Sequence, residues 1–144
     1  MGRRASREMA MKLLYQMEIQ KEDREAQKEL FFKENPLSEN DKAYVNDVID
    51  GVFANLDYIS ELIEKNSKGW KINRISKIDL SIMRLSIYEI CFRNDIPYSV
   101  SVNEAVELAK KYSGEDAGSF INGILSKISD KKENNTINES DSGG

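Results

Sequence analysis

The sequence predicts an all-α protein of about seven helices. Three observations lead there. Apolar side chains recur at close to 3.6 residues along almost the whole chain. Helix breakers are scarce, with 2 prolines and 8 glycines in 144 residues. Alternation of period two appears only at Val100–Val102, which is too brief for a strand.

The first helix is expected from about Arg3 to Gln20, with Ala10, Leu13, Leu14 and Met17 on one face. A short second helix, about Arg24 to Lys33, carries Ala26, Leu30 and Phe31 and ends at Asn35-Pro36, because the residue before proline avoids the helical region. Ser38 caps a third helix, about Glu39 to Ala54, whose stripe is Tyr44, Val45, Val48, Ile49, Val52 and Phe53. The pattern resumes through Leu56, Ile59, Leu62 and Ile63 to about Asn66. A break near Asn55 or one long bent helix both fit it. Ser67 to Ser76 is a joint containing Gly69 and Trp70.

Ser76 with Asp79 three residues on opens a fifth helix. The hydroxyl bonds a helix-end amide, and the carboxylate sits by the positive end. Ile78, Ile82, Leu85, Ile87 and Tyr88 are apolar on more than one face, so this helix is expected to be central. Asp95-Ile96-Pro97 is a loop. Ser101 and Glu104 read as a second capping box, before a sixth helix of about Val102 to Tyr112 that ends at Ser113-Gly114. A seventh, about Asp116 to Ser129, buries Phe120, Ile121, Ile124, Leu125 and Ile128. Residues 131–144, with one hydrophobic side chain, read as a disordered tail.

Composition narrows the function. Hydrophobic residues make up 40% and charged residues 32%, enough for a buried core. The formal net charge of −4 excludes a wholly basic RNA-coating protein, so any nucleic-acid contact has to come from a local patch. The absence of histidine removes the commonest general base and metal ligand. No GxxxxGK[ST] or GxGxxG loop occurs, and nothing indicates a cofactor or an enzyme. Cys91, the one cysteine, sits mid-helix between Ile90 and Phe92 and reads as a structural thiol. No apolar run reaches a membrane span, and the N-terminus lacks a signal-type hydrophobic stretch, so the cytoplasm is the expected location.

Two stretches stand out as candidate binding elements. Arg3, Arg4 and Arg7 cluster at the start of the first helix, where cations are mildly unfavourable. They suit RNA, because the guanidinium fork grips phosphate and stacks on bases, or else they are a solvated helix end. Lys110 to Phe120 offers lysines, a loop and the aromatics Tyr112 and Phe120, which either hold splayed bases or belong to the core.

Three blocks, in this order and spacing, make the chain similar to the NusB family of bacterial transcription antitermination factors over about residues 2 to 130. They are RRASREMAMKLLYQ at 3–16, INRISKIDLSIMRLSIYEI at 72–90 running into DIPYSVSVNEAVELAKKY at 95–112, and FINGIL at 120–125. The resemblance implies two packed helical subdomains, about 1–66 and 67–130. It implies binding of boxA single-stranded RNA in nascent transcripts, pairing with the ribosomal protein NusE, and seeding of a termination-resistant RNA polymerase complex, without catalysis. Carried over by position, Arg3, Arg4, Arg7, Lys111, Tyr112, Asp116, Phe120 and Asn122 are expected at RNA, and Asp79 and Arg74 at NusE. Some relatives are acidic where Asn73 and Arg74 stand. The free protein is expected as a monomer or a homodimer. The other reading open at this point is a helical protein-interaction adaptor without specific RNA binding.

Overall fold

The computed structural model describes residues 2–128. Among them are seven α-helices: α1 (Arg3–Ile19), α2 (Arg24–Glu34), α3 (Glu39–Ala54), α4 (Leu56–Asn66), α5 (Lys77–Phe92), α6 (Tyr98–Tyr112) and α7 (115–128). A single 3-10 turn, Ile72–Arg74, lies between α4 and α5, and the described residues contain no strand. The expected tail at 131–144 and the end of the seventh helix at Ser129 lie outside the described residues.

Short side chains start the helices where the sequence places them. Asp23 accepts from the Glu25 and Ala26 amides, at 3.0 and 3.3 Å. Ser38 accepts from the Asp41 amide at 3.2 Å, and Ser76 from the Asp79 amide at 3.1 Å. Asn55 ends α3 and precedes α4, so the chain breaks there and does not run as one bent helix.

The start of α6 differs from the expectation. The helix begins at Tyr98 with Pro97 as its N-cap, and the Ser101–Glu104 box does not form. Proline suits a helix start because its fixed φ (−61° here) is nearly helical and it has no amide to leave unbonded. Ser101 therefore sits inside the helix and donates to Glu89 at 2.7 Å, while Glu104 receives Arg4.

Every residue from Leu80 to Ile90 is buried, because α1, α3, α4 and α6 all pack against α5. The apolar core is one cluster running from Ala10 to Ile128, so the halves on either side of the 67–76 joint share it. Gly51 of α3 faces the Tyr88 ring of α5. A Cβ there would lie 2.0 Å from the Tyr88 ring, whose hydroxyl donates to Asp47 at 2.9 Å.

Candidate nucleic-acid interface

The first turn of α1 holds no carboxylate to offset its arginines, and each finds a partner elsewhere. Arg3 lies over the Tyr44 ring of α3, 4.4 Å from its centroid. Arg4 is exposed and forks onto Glu104 of α6 at 2.9 and 3.0 Å.

Arg7 departs from the expectation of a phosphate ligand. It is 4% exposed, and its guanidinium forks onto the fully buried Glu89 at 2.9 and 3.2 Å. Burial pulls the guanidinium pKa down, but the hydrogen bond and charge of Glu89 outweigh it and hold it raised. Glu89 also accepts from the hydroxyls of Tyr44 and Ser101. One carboxylate thus ties α1, α3, α5 and α6 together. The spacing of Arg7 from Arg3 and Arg4 showed one helical turn, but not that its face meets a buried acid 82 residues away.

A second junction lies at the next residue of α1, on the side that faces the end of α6. Glu8 receives Lys111 Nζ at 3.0 Å and the Tyr112 hydroxyl, with Lys12 Nζ at 3.8 Å. Its carboxyl is held below the usual glutamate range by the Tyr112 hydrogen bond, against burial, with help from Lys111. The Tyr112 hydroxyl is pushed up to about 12, by burial and then by donation to Glu8. Arg4, Lys12, Lys111 and Tyr112 consequently share one ridge. Lys12 and Lys111 lie 6.0 and 5.4 Å from the centre of the Tyr112 ring.

Asp116 and Phe120 face elsewhere. With Trp70, Arg74, Asp79 and Ser113 they line a cleft of about 380 Å³ between α5 and α7. Phe120 meets Trp70 edge to face, with centroids 6.5 Å apart. The residues expected at RNA and those expected at a protein partner therefore share this cleft, and Ser113, next to Tyr112, joins it to the α1–α6 ridge. Asn122 is exposed on α7. Asp79 Oδ1 is buried without a hydrogen-bond partner among the described residues. Sequence reasoning placed Trp70 only in a joint. Its signal was a tryptophan set between Lys68-Gly69 and Lys71, where no apolar periodicity calls for one.

The model of the NusB family matches residues 4–130. The chain belongs to the NusB family. A relative from Ruminiclostridium cellulolyticum, known as transcription antitermination protein NusB, is 58% identical over 99% of each chain. The solved NusB of T. maritima superposes with a TM-score of 0.83 at 37% identity, over 90% of this chain and 92% of that one. A solved assembly of antitermination factors NusB and NusE with double-stranded RNA matches with a TM-score of 0.81 at 26% identity, over 90% of this chain and 96% of that one. The NusB family and its all-helical fold are thus shared along nearly the whole described chain.

Proposed function

We propose that this chain is a transcription antitermination factor that acts by binding and not by catalysis. It holds boxA-type single-stranded RNA of nascent ribosomal transcripts together with NusE, and helps assemble a termination-resistant RNA polymerase complex in the cytoplasm. The observation that carries the reading is the α1–α6 ridge, where Lys12 and Lys111 flank the Tyr112 ring and Arg4 sits one helical turn before Glu8, exposed against Glu104. Cations on that ridge hold phosphates and set register, and Arg3, exposed over the Tyr44 ring of α3, is a further cation at the start of the same helix. Tyr112 and Phe120 offer rings to unstacked bases, while Asp116 and Asn122 offer groups to base edges. Arg7 holds this surface in place from beneath. The names of the relatives and the composition of the NusB–NusE–RNA assembly support the choice of partners. Asp79 and Arg74, at the far wall of the cleft, are assigned to NusE.

The test is RNA binding across salt, with and without NusE, using single-stranded boxA RNA, a scrambled strand and a duplex. Arg4→Ala and Lys111→Ala should each lower the slope of log affinity against log salt by about 0.7 on a single strand. Unchanged slopes remove the ridge from the interface. A wild-type protein that binds NusE but no RNA is a protein-interaction adaptor, a role that the net charge of −4 also suits.

A further inference from the structure

Beyond the cleft just described, Trp70 and Phe120 form a wall with a second cavity on its other side. This cavity, about 260 Å³, is lined by Lys68, Ser119, Gly123 and Lys127 as well as by the two rings, and no carboxylate lines it.

Three features of this cavity point to one kind of occupant. The first is the display of Trp70. Lys68 (φ 52°) and Gly69 (φ 90°) both turn through the left-handed region, which is costly for lysine. Ser67 fixes the resulting loop, accepting from the Trp70 amide at 3.2 Å and donating to its carbonyl at 2.7 Å. The indole is thereby held 50% exposed. Together with Phe120, which it meets edge to face, it presents an aromatic wall to this cavity.

The second feature is charge. The cavity lining holds two lysines and no carboxylate, whereas the Tyr112 ridge mixes its cations with Glu8 and Glu104. Lys68 and Lys127 in this cavity, and Arg74 on the other side of Trp70, form no ion pair among the described residues. In a molecule of net charge −4 this is a local field that favours a polyanion.

The third feature is Gly123. It lies inside α7, where glycine costs about 1 kcal/mol relative to alanine. A Cβ added there meets nothing within 4 Å. Internal packing thus does not require this glycine, and its missing side chain keeps the cavity floor open to close approach.

We infer that the Trp70–Gly123 cavity is an additional stacking subsite for a single-stranded RNA base, beyond the Tyr112 ridge and the Asp116–Phe120 cleft. Trp70 and Phe120 offer the rings, the floor at Gly123 admits the base, and Lys68 and Lys127 hold the adjoining phosphates. The inference rests on the RNA-binding reading above.

Trp70 is the chain's only tryptophan, so its emission reports the subsite directly. The full chain is titrated with 5′-labelled single-stranded boxA RNA. Binding is followed by anisotropy of the label and, separately, by tryptophan fluorescence. RNA should quench Trp70. Trp70→Ala should weaken binding by about 5- to 150-fold, the range for loss of one stacked base. Gly123→Leu should abolish the quench and weaken binding, while its melting temperature stays at or above the wild-type value. A cavity needed only for folding would give the opposite pattern. RNA that binds by anisotropy with no quench, or a quench untouched by Gly123→Leu, overturns the subsite and leaves the RNA-binding reading standing. Quenching by NusE in place of RNA gives the cavity to a protein and also overturns it. Absence of any RNA binding removes both.

Discussion

At the scale of single residues, the Arg7–Glu89 pair has side-chain exposures of 5% and 0%, and every Glu89 oxygen is occupied. A buried pair of this kind contributes little over a well-packed apolar pair, but removing one partner strands the other charge. Glu89→Ala and Arg7→Ala are each expected to destabilise by about 3–5 kcal/mol. The joint Arg7→Met/Glu89→Met variant should recover much of that loss. Urea unfolding of the three variants checks the cycle, and additive losses would deny the pair its coupling. Arg7→Ala should leave the salt slope of RNA binding unchanged, unlike Arg4→Ala.

Titration follows from the same contacts. Asp95, gripped by Arg93 at 2.9 and 2.8 Å, is lowered to about 2, and Glu8 is lowered as well. A depressed carboxylate contributes stability above its unfolded pKa and loses it as pH falls through the folded value. Tyr112 and Tyr88 run the other way. Both are raised to about 12 from 10.0, so their contribution is complete below pH 10.0 and is lost toward pH 12. With no histidine in between, the melting temperature should be level near neutrality and fall below about pH 4 and above about pH 10. A step between pH 6 and 7 would contradict this.

At the scale of elements, α3 and α5 approach at Gly51. Gly51→Ala would gain up to about 1 kcal/mol of helix propensity but drive a methyl into the Tyr88 ring, and overpacking costs about 1–3 kcal/mol. A lower melting temperature is expected, against the neutral or raised one for Gly123→Ala. These two glycines look alike in the sequence, and only the packing around them separates them.

The same limit governs what was legible beforehand. Helix positions and the central place of α5 follow from periodicity and from Ser38 and Ser76, because those signals are local. The start of α6 was misplaced because Ser101 and Glu104 have capping-box spacing, while their true partners, Glu89 and Arg4, are distant in sequence. Arg4, Lys111 and Tyr112 were each visible as candidates. That Glu8 joins them was not, since a contact across 103 residues leaves no periodic trace. Trp70 was passed over because it belongs to no helix.

At the scale of the whole molecule, the carboxylates outnumber the cations, yet Lys68, Lys127 and Arg74, none of them in an ion pair among the described residues, line the two cavities that flank Trp70. Affinity for RNA should therefore fall steeply with salt although the protein is acidic. Asp79→Arg is expected to weaken NusE binding and preserve the fold, as read by heterodimer titration and circular dichroism, because Asp79 Oδ1 lacks an internal hydrogen bond to lose. Full-strength titration by that variant would take Asp79 out of the assigned surface.

The joint at 67–76 carries Lys68 and Lys71 on an exposed loop, while the apolar cluster passes beneath it without interruption. A tryptic nick there would cut the backbone but not the interlock of α1 and α3 with α5. The two pieces should elute together under native conditions and separate only in denaturant, as a split protein held by shape. Each piece alone would present half of an apolar interior to water. The chain's connectivity at this point thus serves to keep the halves at high local concentration during folding, and has little part in holding them once they have met.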